Sequence, residues 1–125
     1  MAEIKLLPRK EFEITLEDGT VIKGQFGTWA LKRFCDKQKY SIAQAGAKLG
    51  DPSMSDVVEY VLCAVEHTAR KTNSPFSYTD VQACDWIDQL GGWQSGTFVE
   101  LFNHSADESK AEDNGQEKKT ALAET

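Results

Sequence analysis

Three cysteines and two histidines are the most chemically versatile side chains in this 125-residue sequence. Cys63 and His67 are four residues apart, which makes them neighbours on a helix surface. A thiol beside an imidazole suggests either a nucleophile with its base or half of a metal site. Neither is completed. A catalytic thiol also wants a third group orienting the base, and no local signature of a protease or transferase surrounds this pair. Structural zinc takes four ligands, usually in two close pairs. Here Cys35 and Cys84 would have to converge from separate helices, and His104 is the one other histidine. The thiols therefore read as small core residues. Cys35 and Cys84 lie on apolar helix sides, while Cys63 is off the main stripe of its helix. His67 follows Val58 by nine residues, which at about 100° per residue puts it on the opposite, solvated side.

The carboxylates offer no more. Acid–base work needs carboxyls in a cleft whose surroundings push their pKa values apart. Glu11, Glu13, Glu17 and Asp18 sit on a strand face and a turn, and Asp80, Asp85 and Asp88 decorate a helix. No phosphate-binding glycine loop, nucleophile elbow or paired-histidine zinc motif is present. The reading is a protein that is not an enzyme and carries no cofactor or metal. Its formal net charge of -6 and pI near 4.9 argue against nucleic acid, which is bound by clustered Lys and Arg, and against anionic membranes. Lys32-Arg33 and Arg70-Lys71 are pairs on solvated helix faces. No apolar run approaches the length that crosses a bilayer, and the first ten residues lack a signal-peptide pattern. An odd cysteine count suits a reducing compartment.

The elements that hold these residues can be read from period and punctuation. Phe12, Ile14 and Leu16 alternate with polar residues, and Asp18-Gly19 turns the chain, giving a β-hairpin over 10–26. A three-residue loop, Glu17-Asp18-Gly19, pairs Ile14 with Ile22 and sets Glu13 opposite Lys23, a better register than a two-residue loop allows. Thr28 caps a helix to about Lys37, with Trp29, Leu31, Phe34 and Cys35 on its apolar side. Ser41 and Gln44 form a capping box for a short helix carrying Ile42, Ala45 and Leu49. Asp51 or Ser53 starts the central helix, about Met54 to Lys71, with Val58, Val61, Leu62, Val65 and Ala69 on one stripe. Ser77 and Asp80 begin the next, whose stripe is Val81, Cys84, Ile87 and Leu90, and Gly91-Gly92 ends it. A last helix runs from about Ser95 to Asn103.

The expected fold is α+β: an N-terminal β-hairpin packed on a mainly helical domain of four to five helices, with a disordered C-terminal tail. The expected organisation is an N-terminal extension (1–9), the hairpin and helical domain (10–103) and an acidic disordered tail (104–125). Ile14, Leu16, Ile22, Leu31, Val61, Val65 and Ile87 should be buried. Most aromatic residues belong to the core, but Trp86 lies off its stripe and Trp93 sits beside a glycine break, as binding anchors do. The terminal helix is short and little sequence follows to cover it. Trp93, Phe98, Leu101 and Phe102 are therefore the candidate partner-binding residues.

The order of hairpin, then "FGTWALKRFCDKQ", a Ser-capped helix, "CAVEHTARK" and "PFSYTDVQACDWIDQLGG" resembles the tail assembly chaperones of long-tailed bacteriophages, over about residues 10–102. Members of that group share phrases like "GTWALKRF" and "DWIDQLGG". The resemblance implies a protein that binds the tape measure protein and keeps it soluble while the tail tube polymerises. It also implies tail tube protein and self-association as further contacts, residence in the host cytoplasm, and absence from the mature virion. Two other readings fit the same residues: a virion component such as a tail-completion or connector protein, and a small cysteine- or metal-dependent protein.

Overall fold

The computed structural model describes residues 2–106. Three strands, β1 (Glu3–Leu7), β2 (Glu11–Thr15) and β3 (Val21–Gln25), form an antiparallel sheet in the order β1-β2-β3. Five helices follow among the described residues: α1 (Thr28–Gln38), α2 (Ile42–Gly50), α3 (Met54–Lys71), α4 (Asp80–Gln89) and α5 (Gly96–Asn103), with a short 3₁₀ turn at His104–Ala106. The fold is α+β, a small sheet packed on helices.

The β2–β3 hairpin has the expected register. Ile14 faces Ile22 and Glu13 faces Lys23. Leu16 N–H donates to the Thr20 carbonyl at 2.7 Å, and Gly19 takes φ 91°, a left-handed position that glycine fills without steric cost. The sheet has one strand more than the expected hairpin, because β1 lies within the segment read as an extension. Its signal is hidden by its turn. Arg9 and Lys10 both have φ 62°, where Gly, Asn or Asp would be expected, so nothing in the sequence marks a hairpin there. Ile4, Ile14 and Ile22 form one row on the core face, and Leu6, Phe12 and Gly24 the next. The Phe12 ring fills the space above Gly24 so closely that a Cβ there would collide with it.

Helix α3 is the centre. Val57, Val58, Tyr60, Val61, Leu62, Cys63, Ala64 and Val65 are all buried, because the sheet, α1, α2 and α4 pack around it. Ser53, and not Asp51, caps it, in a box with Asp56. Ser41 and Gln44 cap α2 as read, but Ile42 is exposed and Ala45 is that helix's buried residue. Thr28 does not cap α1; Gly27 holds the cap position without a side-chain bond. Of the expected core, Ile14, Ile22, Val61, Val65 and Ile87 are buried, while Leu16 and Leu31 are partly so.

Helix α4 is turned relative to its expected stripe. The cap is Thr79 with Gln82, not Ser77 with Asp80. Ala83, Trp86, Ile87 and Leu90 are buried, whereas Val81 is 74% exposed and Cys84 is exposed. Both stripes have helical spacing. Val81 and Cys84 share their side with Asp85 and Asp88, so burying it would desolvate two carboxylates. The other side buries an indole instead.

The domain also ends later than expected. The His104 Nε2 lies 2.9 Å from the Leu7 carbonyl and 3.0 Å from that of Glu11. Both partners only accept, so Nε2 carries the proton and donates. His104–Ala106 is therefore folded onto the β1–β2 turn. The remainder of the expected disordered tail, 107–125, lies outside the described residues.

Candidate protein-binding groove

The thiol and imidazole groups are placed by packing. Cys63 is fully buried, and burial pushes its thiol up to about 12, so no thiolate is available near neutral pH. Cys35 is half-buried and Cys84 exposed. This reverses the expected order, because α3 is covered on several sides, so that Cys63 is buried beside the stripe, while α4 turns Cys84 to solvent. His67 is not on a solvated face either. Its Nδ1 donates to the Gln25 carbonyl at 2.8 Å, and its ring stacks on Trp29 with centroids 5.6 Å apart. Among the described residues, no three of His, Cys, Asp and Glu are grouped to hold a metal.

Two carboxylates are buried with partners. Burial alone would raise the Glu66 pKa, but hydrogen bonds from Arg33 and Arg70, each at 3.1 Å, outweigh it and hold the carboxyl below its ordinary range. Arg33 and Arg70 are thus ligands of a buried carboxylate and not purely solvated charges. Asp56 is likewise lowered. Burial opposes ionisation, and bonds from Gln38, the Ser53 backbone and Tyr40 overcome it. Both networks are internally satisfied, as buried structural carboxylates must be. A polar hollow of about 470 Å³ beside Glu66 and Arg70 presents groups already committed to each other.

The apolar surface is different. A groove of about 400 Å³ runs between the start of α3 and α5, lined by Pro52, Met54, Val57, Trp93, Phe98, Val99, Phe102 and Asn103. Its walls come from segments about forty residues apart and meet because α5 packs beside the first turns of α3. Ser95 sets the start of α5 by accepting from Phe98 N–H at 3.0 Å, while its hydroxyl donates to the Leu90 carbonyl at 3.0 Å. Gly91 and Gly92, with φ 107° and 97°, turn the chain so that Trp93 reaches the rim. Trp93 is 57% exposed, Met54 46% and Val99 45%. Phe98 and the half-buried Phe102 form the floor, their rings 6.4 Å apart.

Three of the four expected partner-binding residues, Trp93, Phe98 and Phe102, therefore line one groove. Leu101 does not; it is 1% exposed and closes the core. Trp86 is not part of the groove either, being buried edge-on against Tyr78 at 5.0 Å. Pro52, Met54, Val57 and Val99 escaped sequence reasoning. The available signal was Met54, which continues the apolar stripe of α3 one turn before Val58, at the helix start where less of the chain covers it. No helix among the described residues is long and apolar enough to cross a membrane. No family model, curated protein or solved structure matches the chain.

Proposed function

We propose that this chain is a tail assembly chaperone of a long-tailed bacteriophage. It binds apolar helical stretches of the tape measure protein and keeps that protein soluble while the tail tube polymerises around it. It acts in the host cytoplasm and leaves before the virion is complete. The observation that carries this reading is the exposed apolar groove between α3 and α5, together with the sequence resemblance over 10–102. A groove with aromatic and aliphatic walls suits an amphipathic helix laid along it. A tape measure helix has such a face to cover until assembly buries it.

The test is co-expression with the long helical protein encoded beside this chain. The unaltered chaperone should hold that partner in the soluble fraction. A variant with Trp93→Ser and Val99→Ser, both at exposed positions, should keep its melting temperature and leave the partner in the pellet. Full solubilisation by the folded variant removes the groove from the mechanism. Failure of the unaltered chain to bind the partner, or its presence in purified virions at fixed copy number, overturns the chaperone reading.

A further inference from the structure

The charged residues that adjoin the groove lining in sequence are all acidic. From Lys71 to Lys110 the sequence contains no other Lys or Arg, while Asp80, Asp85, Asp88 and Glu100 fall within that stretch. Asp51 directly precedes the groove-lining Pro52, and Glu100 directly follows the groove-lining Val99 on α5. One segment away from the groove lining is strongly basic. Segment 28–50 holds Lys32, Arg33, Lys37, Lys39 and Lys48 against Asp36 alone. That segment docks on α3 through Asp56, which binds Gln38 and Tyr40, and Glu59, whose carboxylate lies 2.7 Å from Lys37 Nζ. At about 100° per residue, Asp56 and Glu59 lie on the side of α3 away from Met54 and Val57. The body of α3 thus lies between this basic segment and the apolar groove, whose lining is adjoined in sequence by Asp51 and Glu100.

We infer that the groove takes an amphipathic helix whose apolar stripe is flanked by Lys and Arg, and that it discriminates against the same stripe flanked by Glu. This rests on the chaperone reading and names the chemistry of the segments such a chaperone would hold. The physical basis is complementarity: apolar contact supplies affinity, while rim charges select among helices and reject like-charged ones. A tape-measure-type partner would be engaged at its basic stretches, and its acidic stretches would be left free.

The test uses the full chain and two synthetic amphipathic helices with one shared leucine stripe, one flanked by Lys and the other by Glu. Binding is read by peptide fluorescence anisotropy and by the emission of the exposed Trp93. The Lys peptide should bind at least about tenfold tighter at low ionic strength, with the gap narrowing as salt rises. Trp93→Ser with Val99→Ser should abolish the tight binding, which separates groove docking from general attraction to an acidic protein. Asp51→Lys with Glu100→Lys should erase the preference while retaining binding. Equal, groove-dependent binding of both peptides overturns the charge inference and leaves the chaperone reading standing. Absence of groove-dependent binding by either peptide overturns both. Concentration-dependent dimers that the Trp93 and Val99 changes dissolve would show the groove filled by a second copy, and would also overturn the inference.

Discussion

Glu66 and Asp56 show how single side chains tie the helices together. Each is a carboxylate taken out of water and held ionised by several donors. Their folded pKa values lie below the ordinary 4.5 and 3.8, so the stability they contribute is complete above those values. It is lost as pH falls through the lower folded values, when the native state must take up protons. Acid unfolding of the native chain should therefore steepen below about pH 4. In Glu66→Gln that acid limb should flatten. Because Arg33 and Arg70 can turn to solvent, the substitution should cost only about 1–2 kcal/mol at neutral pH; chemical denaturation across the pH range measures both effects. The thiols give a second residue-scale prediction. A thiol reagent should label Cys84 at once, Cys35 more slowly and Cys63 only at the rate of unfolding. Rapid native labelling of Cys63 would contradict the core described above.

At the scale of elements, α4 is the decisive case, because two helical stripes compete for one core. Ala83, Trp86, Ile87 and Leu90 won over Val81 and Cys84. Trp86→Ala should lower stability by about 3–5 kcal/mol. Val81→Ala should change it by no more than about 0.5 kcal/mol, the usual range for an exposed position. Thermal melts of the two variants decide the orientation, and a larger loss at Val81 than at Trp86 would mean that α4 is turned the other way. The hairpin that opens the chain is a different kind of element. Its Pro8-Arg9-Lys10 turn uses two left-handed residues that are not glycine, each costing on the order of 1 kcal/mol. The row of Ile4, Ile14 and Ile22 and the docking of His104 offset that strain.

In the molecule as a whole, the two ends of the described chain converge on the same structure. Ala2 N–H donates to the Gln89 carbonyl at 3.0 Å, and His104 bridges the carbonyls of Leu7 and Glu11. The first strand is thereby fastened to the last helices, across 97 residues of sequence in the case of Leu7 and His104. Loss of either tie should loosen sheet and helices together. His104→Ala should lower stability by about 1–2 kcal/mol, since it strands two carbonyls. The loss should appear identically by far-ultraviolet and tryptophan-fluorescence melts, as for a single cooperative unit. A separate early transition of the sheet would contradict that cooperativity.

The sequence by itself determined what neighbouring residues settle among themselves. The β2–β3 register, the Ser41–Gln44 cap, the bounds of α3 and the glycine stop after α4 are all matters of contacts within a few residues, so their signals lie in adjacent letters. Part of the groove was legible for the same reason: Phe98 and Phe102 sit on a short apolar helix, and Trp93 stands beside the glycine pair just before it. The tertiary structure alone decided the rest. It chose between two stripes on α4, buried Cys63 while exposing Cys84, drew His67 onto Trp29, and gave the groove its second wall from Pro52, Met54 and Val57. Each of these depends on which surfaces meet in space. That is decided by the total area buried and the charges left in water, neither of which any one segment carries.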